Sequence, residues 1–414
     1  MKKSLQLAVI LLALCPFAAA QVEPAASGGP HAPVLPKSLD YSLRYAHTME
    51  FGKSLGNWQN STISGSLSYT NGRERFPFSM EYGGGYSWNI TGPAYGNGAF
   101  HRLQLSQGFT GRLWNLLVSD NVSYSPEAPT LGFTGIPGIG EPVGAPPPSP
   151  TPPAVNGSIL TLNTHVVNNT VNGSLEHRLN YAMSMNLGGD YNVFRFPDGN
   201  GLDINSEGAN GGLNWRLNGR NSLLTSYRFS EFTYPDYLFS FYTHSGNVGF
   251  ERLWSRRIST TVTAGPQWTS SSNSSLVPDS LGVAVNAMLN YHSGFNNFSL
   301  SYARGVNNGG GFLIGAETDT ATANYSRRLG NAATLGFTAS YMRTAGLLNN
   351  GVTNAKYGGA EATRRLGNHL QVFANYSLIA QSSSSQLPGN TLGQVIQVVG
   401  FGIGYSPRRR EPTQ

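Results

Sequence analysis

The chain is poor in three things. It has one cysteine in 414 residues, Cys15. Charged residues make up 12% of it, against roughly 25% in ordinary soluble domains. Beyond residue 20 no apolar run reaches the roughly 20 residues that a membrane-spanning helix needs. A lone cysteine excludes a disulfide framework and a thiolate metal cluster. The eight histidines are scattered, with no HExxH or paired spacing, so no metal and no cofactor is expected. The glycine runs Gly83–Gly85 and Gly309–Gly311 lack the lysine that follows a phosphate-binding loop, and fit a strand bend and a loop. The formal net charge of +6 comes partly from Arg408-Arg409-Arg410. This is a mild basic bias and not a nucleic-acid footprint.

What is present begins with Met1-Lys2-Lys3. An apolar run from Leu5 to Phe17 follows, then Ala18-Ala19-Ala20 before Gln21. A basic start, a short apolar centre and a small-residue cleavage site predict a secretory signal peptide over residues 1–20. Cys15 invites an acylation reading, but Leu14 stands where a lipobox wants a small residue, and Pro16 follows. Cleavage after Ala20 leaves no cysteine, and the loss of Lys2 and Lys3 lowers the net charge to +4. Residues 21–39, rich in Pro, Ala and Gly, are expected to be a disordered periplasmic lead.

An exported chain with few charges and many aromatics suits a solvent that is not simply water. Every second residue from Phe76 reads Phe76, Phe78, Met80, Tyr82, Gly84, Tyr86, Trp88. Near the end, Val395, Gln397, Val399, Phe401, Ile403 and Tyr405 alternate with Ile396, Val398, Gly400, Gly402 and Gly404. Leu335, Phe337, Ala339 and Tyr341 alternate with Gly336, Thr338 and Ser340. This is a strand period, with one apolar face and one small and polar face. A soluble sandwich also alternates. Here the strands read long, about 9–13 residues, which suits a tilted bilayer crossing, and the residues beside the short turns are often aromatic or Leu, as in an interfacial girdle.

A second regularity encloses the first. An Arg-Leu pair recurs at Arg112-Leu113, Arg178-Leu179, Arg216-Leu217, Arg252-Leu253, Arg328-Leu329 and Arg365-Leu366. One copy has decayed near Tyr291–Asn296, and Asn71-Gly72-Arg73-Glu74 lies one period before Arg112. A unit of about 37 residues is one hairpin; helical solenoids of similar period are excluded by the alternation within it. Eight tight turns, near 72, 112, 179, 218, 255, 294, 330 and 367, and nine looser loops predict eighteen antiparallel strands. Sixteen is the alternative, if the weak first strand (Tyr41 to Phe51) and one other are misread. The fold class is therefore all-β, a transmembrane antiparallel up-and-down β-barrel over residues 40–406, with a basic periplasmic tail at 407–414. At this strand number a barrel leaves an aqueous lumen.

On these hairpins and turn motifs the chain resembles the bacterial outer-membrane β-barrels of the porin-like superfamily. It is especially similar to those built on hairpin repeats that end in Arg-Leu-Gly turns. The match covers roughly residues 40–406 and rests on architecture, with no catalytic signature. The resemblance implies an outer-membrane location, a lipid bilayer and the outer-membrane assembly machinery as partners, and no enzyme activity. The last strand resembles the assembly signal of such proteins, with Gly400, Ile403 and Tyr405 at the expected offsets, although Ser406–Gln414 follows where the family often ends.

For such a barrel the lumen carries the function. Expected inward positions are Arg44, Glu50, Ser64, Ser66, Asn186, Asp190, Thr261, Gln267, Asn286 and Asn375, with Ser68, Ser184, Gly188, Ser259, Thr263, Asn290 and Ser377 beside them. Charges read as sparse on this face, and no ladder of opposed basic and acidic clusters is evident. A hydroxyl- and amide-rich lumen favours passive diffusion of small, neutral hydrophilic solutes. The alternative is an envelope barrel for surface-polysaccharide export, assembly or adhesion that works through its loops. A barrel hydrolase is a third class, with His244-Ser245 the one tempting pair. Loop 126–157, whose second half holds the stiff run Pro146–Pro153, either constricts the pore or projects as an arm. The aromatic loop 230–243 is expected to join the outer interfacial belt, with stacking on sugar rings as the alternative. Asp198–Glu207 is oxygen-rich, but Leu202 breaks the EF-hand pattern. Nothing marks a trimer face; Ala321, Ala323 and Gly359 are candidate outward contacts for a homo-oligomer.

Overall fold

The computed structural model describes residues 38–407, apart from 53–55, 92–96, 128–163, 200, 275–276, 310–312, 331, 349–350 and 385–394. Eighteen strands occupy them. The first nine are β1 (Ser38–Gly52), β2 (Gly56–Thr70), β3 (Phe78–Thr91), β4 (Gly98–Thr110), β5 (Trp114–Glu127), β6 (Thr164–Arg178), β7 (Met183–Arg195), β8 (Ile204–Arg216) and β9 (Asn221–Tyr234). The second nine are β10 (Phe239–Ser255), β11 (Ile258–Ser271), β12 (Ser280–Ser293), β13 (Asn296–Asn307), β14 (Ala316–Leu329), β15 (Ala333–Gly346), β16 (Val352–Leu366), β17 (Leu370–Ser383) and β18 (Val395–Tyr405). Each strand pairs antiparallel with its sequence neighbours, and β1 pairs with β18 from Leu43↔Tyr405 to Gly52↔Ile396. The sheet is thus a closed up-and-down barrel without an edge. Eighteen strands stand, and the alternative of sixteen does not. β1 is a full strand of 15 residues and begins at Ser38, two residues before the expected boundary. The expected signal peptide, most of the lead and residues 408–414 of the tail lie outside the described residues.

The short connections gather at one end, with both ends of the barrel chain. Their chemistry is local. Asn180 Oδ1 accepts from the backbone N–H groups of Ala182 and Met183, Asn218 Oδ1 from those of Arg220 and Asn221, and Ser255 Oγ from those of Arg257 and Ile258. These side chains mimic a turn carbonyl. In the Arg-Leu-Gly turns, Gly330 and Gly367 have φ of 65° and 72°, a region that costs other residues a Cβ clash.

Closure fixes the two walls by parity. On β1 the odd residues from Leu39 to Phe51 face out and the even ones face in, where Ser42, Arg44 and Ala46 are buried. The apolar face read from Phe76 points outward through β3. Large apolar side chains that stay exposed, such as Leu43, Ile63, Val262, Val283, Phe337 and Ile403, form the outer band. At the short-turn end this band is bordered by Trp114, Tyr181, Trp215, Trp254 and Phe295, an aromatic girdle. Within the Arg-Leu pairs the leucines Leu113, Leu179, Leu217, Leu329 and Leu366 are exposed in the same border. No helix among the described residues is long and apolar enough to cross a membrane, which says nothing of strands.

Candidate functional site

The inner wall is the candidate site. Strand register puts all ten expected lumen positions on it: Arg44 and Glu50 on β1, Ser64 and Ser66 on β2, Asn186 and Asp190 on β7, Thr261 and Gln267 on β11, Asn286 on β12 and Asn375 on β17. Their neighbours are mostly hydroxyls and amides. Ser42 Oγ and Ser66 Oγ lie 2.7 Å apart, and Thr322 Oγ1 and Ser340 Oγ 2.9 Å apart; Asn192 donates to Asn168 Oδ1 at 2.7 Å. Small polar side chains bridge adjacent strands. The wall is not uniform along its length. On β14, Thr318, Thr320 and Thr322 are buried, Asn324 and Ser326 half-buried, and Arg328 exposed. On this strand the crowded half is at the long-loop end.

Three arrangements rest on glycine. Asp190 Oδ1 accepts from Arg228 Nη2 at 2.7 Å across the inner face of β8. The residue between is Gly208, where a Cβ would stand 2.6 Å from Asp190 Oδ1 and 2.8 Å from Arg228 Nη2. Asn375 lies over Gly400, where any Cβ would overlap its Oδ1. Phe373 covers Gly402, and the Arg44 guanidinium stacks on its ring at 3.5 Å. The last two place a glycine face of β18 under side chains of β17 and β1, at the seam where the barrel closes. Gly400 is thus on the inner wall, while Ile403 and Tyr405 are exposed on the outer one. Gln267 serves the backbone. The β12–β13 ladder runs only to Val285↔Arg304, and beyond it the N–H of Val306 donates to Gln267 Oε1 at 3.0 Å.

The aromatic segment 230–243 differs from expectation. It is mostly strand: β9 runs to Tyr234, one 3-10 turn spans Pro235–Tyr237, and β10 starts at Phe239. Phe232, Tyr234, Phe239 and Phe241 point inward and are buried, forming a cluster with Ile204 and Val277. Phe194, Leu202, Ile314, Leu347 and Leu348 pack against it, so loops from several hairpins fold into the mouth. Tyr234 pins one of them. Its Oη donates to the Asn308 carbonyl and accepts from the Gly315 N–H, each at 2.8 Å. The segment holds inward loops and is not an outer belt; of its six aromatic residues, Tyr242 on the outer row and the exposed Tyr237 lie outside that cluster.

Inner charges are also more numerous than Arg44, Glu50 and Asp190. Register adds Glu81, Arg102, Glu176, Arg178, Arg216, Arg228, Glu251, Arg328, Glu361 and Arg365 to the inner wall. Arg178, Arg216, Arg328 and Arg365 stand at the short-turn mouth, each exposed, and none forms an ion pair among the described residues. With Arg73, Arg75, Arg112, Arg220, Arg256 and Arg257 in the turns, that rim is basic. The long-loop rim carries Asp198, Asp203, Glu207, Glu231, Asp236, Asp279, Glu317 and Asp319, with Arg195, Arg304 and Arg343 pairing some of them.

Other candidate chemistry disperses. His244 and Ser245 are adjacent on β10 and face opposite walls: His244 is outside, with Tyr227 Oη 2.6 Å from its Nδ1, and Ser245 is buried inside. In the oxygen-rich loop, Asp198 pairs with His165 at 2.7 Å and Asp203 with Arg195 at 3.6 Å, while Glu207 lies on the outer wall. Among the described residues no group of three or more His, Cys, Asp or Glu is placed to hold a metal ion. Ala321 and Ala323 do face outward, but Gly359 faces the lumen. Most of loop 126–157 lies outside the described residues.

No protein-family model matches the chain, and no curated protein matches it. Solved structures do. Pseudomonas aeruginosa OccK5 (OpdH) is similar at 12% identity and a TM-score of 0.46, over 90% of this chain and 98% of that one. P. aeruginosa OccK2 (OpdF) in complex with glucuronate gives 11% identity and a TM-score of 0.47, over 89% and 98%. Acinetobacter baumannii OccAB3 gives 9% and 0.45, over 89% and 98%. At these values, what the barrel does has to be read from its own geometry.

Proposed function

We propose that the chain is an outer-membrane channel for passive diffusion of small hydrophilic solutes. One observation carries this: a closed ring of eighteen strands whose outer wall is an exposed apolar band and whose inner wall is largely polar, mostly hydroxyls and amides. An aqueous path needs such an interior, and a lipid surround needs such an exterior. The solutes are neutral on this reading, because hydroxyls and amides outnumber charges on the inner wall and Asp190 is paired with Arg228 in place. The ten inner-wall positions expected from the sequence are assigned to the solute path. Short turns are assigned to the periplasmic side, which the position of both ends of the barrel chain beside them supports. Gly400, Ile403 and Tyr405 are assigned to recognition by the assembly machinery. No catalytic role is assigned: His47 Nδ1 lies 3.0 Å from Ser61 Oγ, but both side chains are on the outer wall, away from the solute path.

Proteoliposome swelling with neutral sugars of graded size tests the reading. The expected result is a swelling rate that falls steeply with solute size. Folded barrels that swell no faster than empty liposomes would remove the channel assignment.

A further inference from the structure

Among the described residues the strand carboxylates of the outer wall lie near the loop rim, with one exception. Glu317 and Asp319 lie near the loop end of β14 and are held by Arg304 at 2.5 and 3.3 Å and by Arg343 at 3.5 Å. Glu207 and Glu231 also lie within four residues of the loop ends of β8 and β9. Asp120 does not. It is the seventh residue of the 14 in β5, and register places it opposite Leu105 on one side and Val171 on the other. Above it on the outer face Tyr124 stacks on His165, with ring centres 5.7 Å apart. Below it Trp114 stacks on His177 at 3.7 Å. Asp120 is thus a carboxyl group in the apolar band between two aromatic borders. Among the described residues no cation pairs with it. Asn169 on β6 donates to its Oδ1 at 2.9 Å.

An ionisable side chain at this depth is costly against lipid and is usually satisfied by protein. We propose that the outer face of β5 and β6 around Asp120 and Asn169 is a contact surface for a second copy of this chain. The complementarity is chemical. The Asn169 amide uses one N–H on its own Asp120 and keeps a second N–H and its oxygen. A carboxylate has lone pairs beyond those it uses here. Around a twofold axis, each Asp120 accepts from the other copy's Asn169, and the surface completes itself. The adjoining outward positions permit close approach. Gly173 lies opposite Gly189, and Gly189 opposite Ala209, so a trough of small residues crosses β6, β7 and β8 beside the polar pair. A lipid chain fills the same trough but offers Asn169 no acceptor, which favours protein as the occupant.

The test uses the full chain in a Cys15→Ser background, reconstituted in vesicles at rising lipid-to-protein ratio and treated with a short bis-maleimide. Val171→Cys marks the proposed face. Ala339→Cys marks the outer wall of β15, across the barrel. The expected result is a dimer band from Val171→Cys that persists on dilution, while the Ala339→Cys band fades as collisions do. Adding Asn169→Leu or Asp120→Leu should lower the Val171→Cys yield about tenfold, with heat-modifiable migration confirming that the barrel is folded. Equal yields from the two faces would overturn the proposal, and so would a band that survives both substitutions. Channel activity is read separately: a monomer that conducts removes this contact and leaves the channel.

Discussion

Asp190 and Asp120 are the same residue type near mid-strand, two strands apart, and they meet opposite worlds. Asp190 points into the lumen, where Arg228 reaches across Gly208 to pair with it. Asp120 points out into the apolar band, where an amide is its side-chain donor. The difference is one step of parity, since adjacent strand residues face opposite walls. It teaches that in this barrel the cost of a side chain is set by odd or even position more than by its chemistry.

The largest effect should come from breaking that sorting at neighbouring residues. Val262 is exposed on the outer wall of β11 and Thr263 is on the inner wall. Val262→Arg should lower the unfolding free energy by about 2–4 kcal/mol, as charge at mid-membrane does. Thr263→Arg should change it by less than about 1 kcal/mol, as a solvated surface substitution does. Urea unfolding in lipid vesicles compares them, and equal costs would mean that the inner wall is not wet.

Next is the contrast between the two mouths. Tyr234→Phe at the loop mouth removes both hydrogen bonds to the 308–315 connection and leaves the Asn308 carbonyl and Gly315 N–H without them, a cost of about 1–3 kcal/mol. Hydrogen exchange at the Gly315 amide should speed up, while amides beside Gly330 at the short-turn mouth should not change. A smaller effect is expected for Asp190→Asn. Arg228 is more than a third exposed, so the pair is worth at most about 1 kcal/mol. Its readout is the reversal potential in a salt gradient, which should move toward anions because Arg228 is freed. Smallest is Arg365→Gln in the basic rim, one exposed charge among several; the same potential should move slightly toward cations, opposite in sign to Asp190→Asn.

The architecture was legible because its signals are local. Alternation fixed the walls, and Arg-Leu turns fixed the hairpins: Arg328-Leu329-Gly330 puts Arg on the inner row, Leu in the girdle and Gly at positive φ. Inner positions such as Ser64 and Asn375 followed from parity alone. Where parity was not applied, the reading failed. Treating 230–243 as a loop hid that Arg228, Phe232 and Tyr234 share the even, inward row of β9. The Asp190–Arg228 pair was out of reach for a different reason. It joins residues 38 apart across a strand whose only contribution is the missing side chain of Gly208, and such a gap has no signature along the chain. Asp120 was legible as an outward residue of a strand, but its meaning needed Asn169, supplied by the next strand beyond the longest insertion.

The most direct measurement is single-channel conductance of the refolded barrel in a planar bilayer in potassium chloride, with neutral sugars of graded size added. Steady conductance steps, reduced by sugars small enough to enter and unaffected by larger ones, are the predicted result. A folded, heat-modifiable barrel that inserts and passes no current would contradict it.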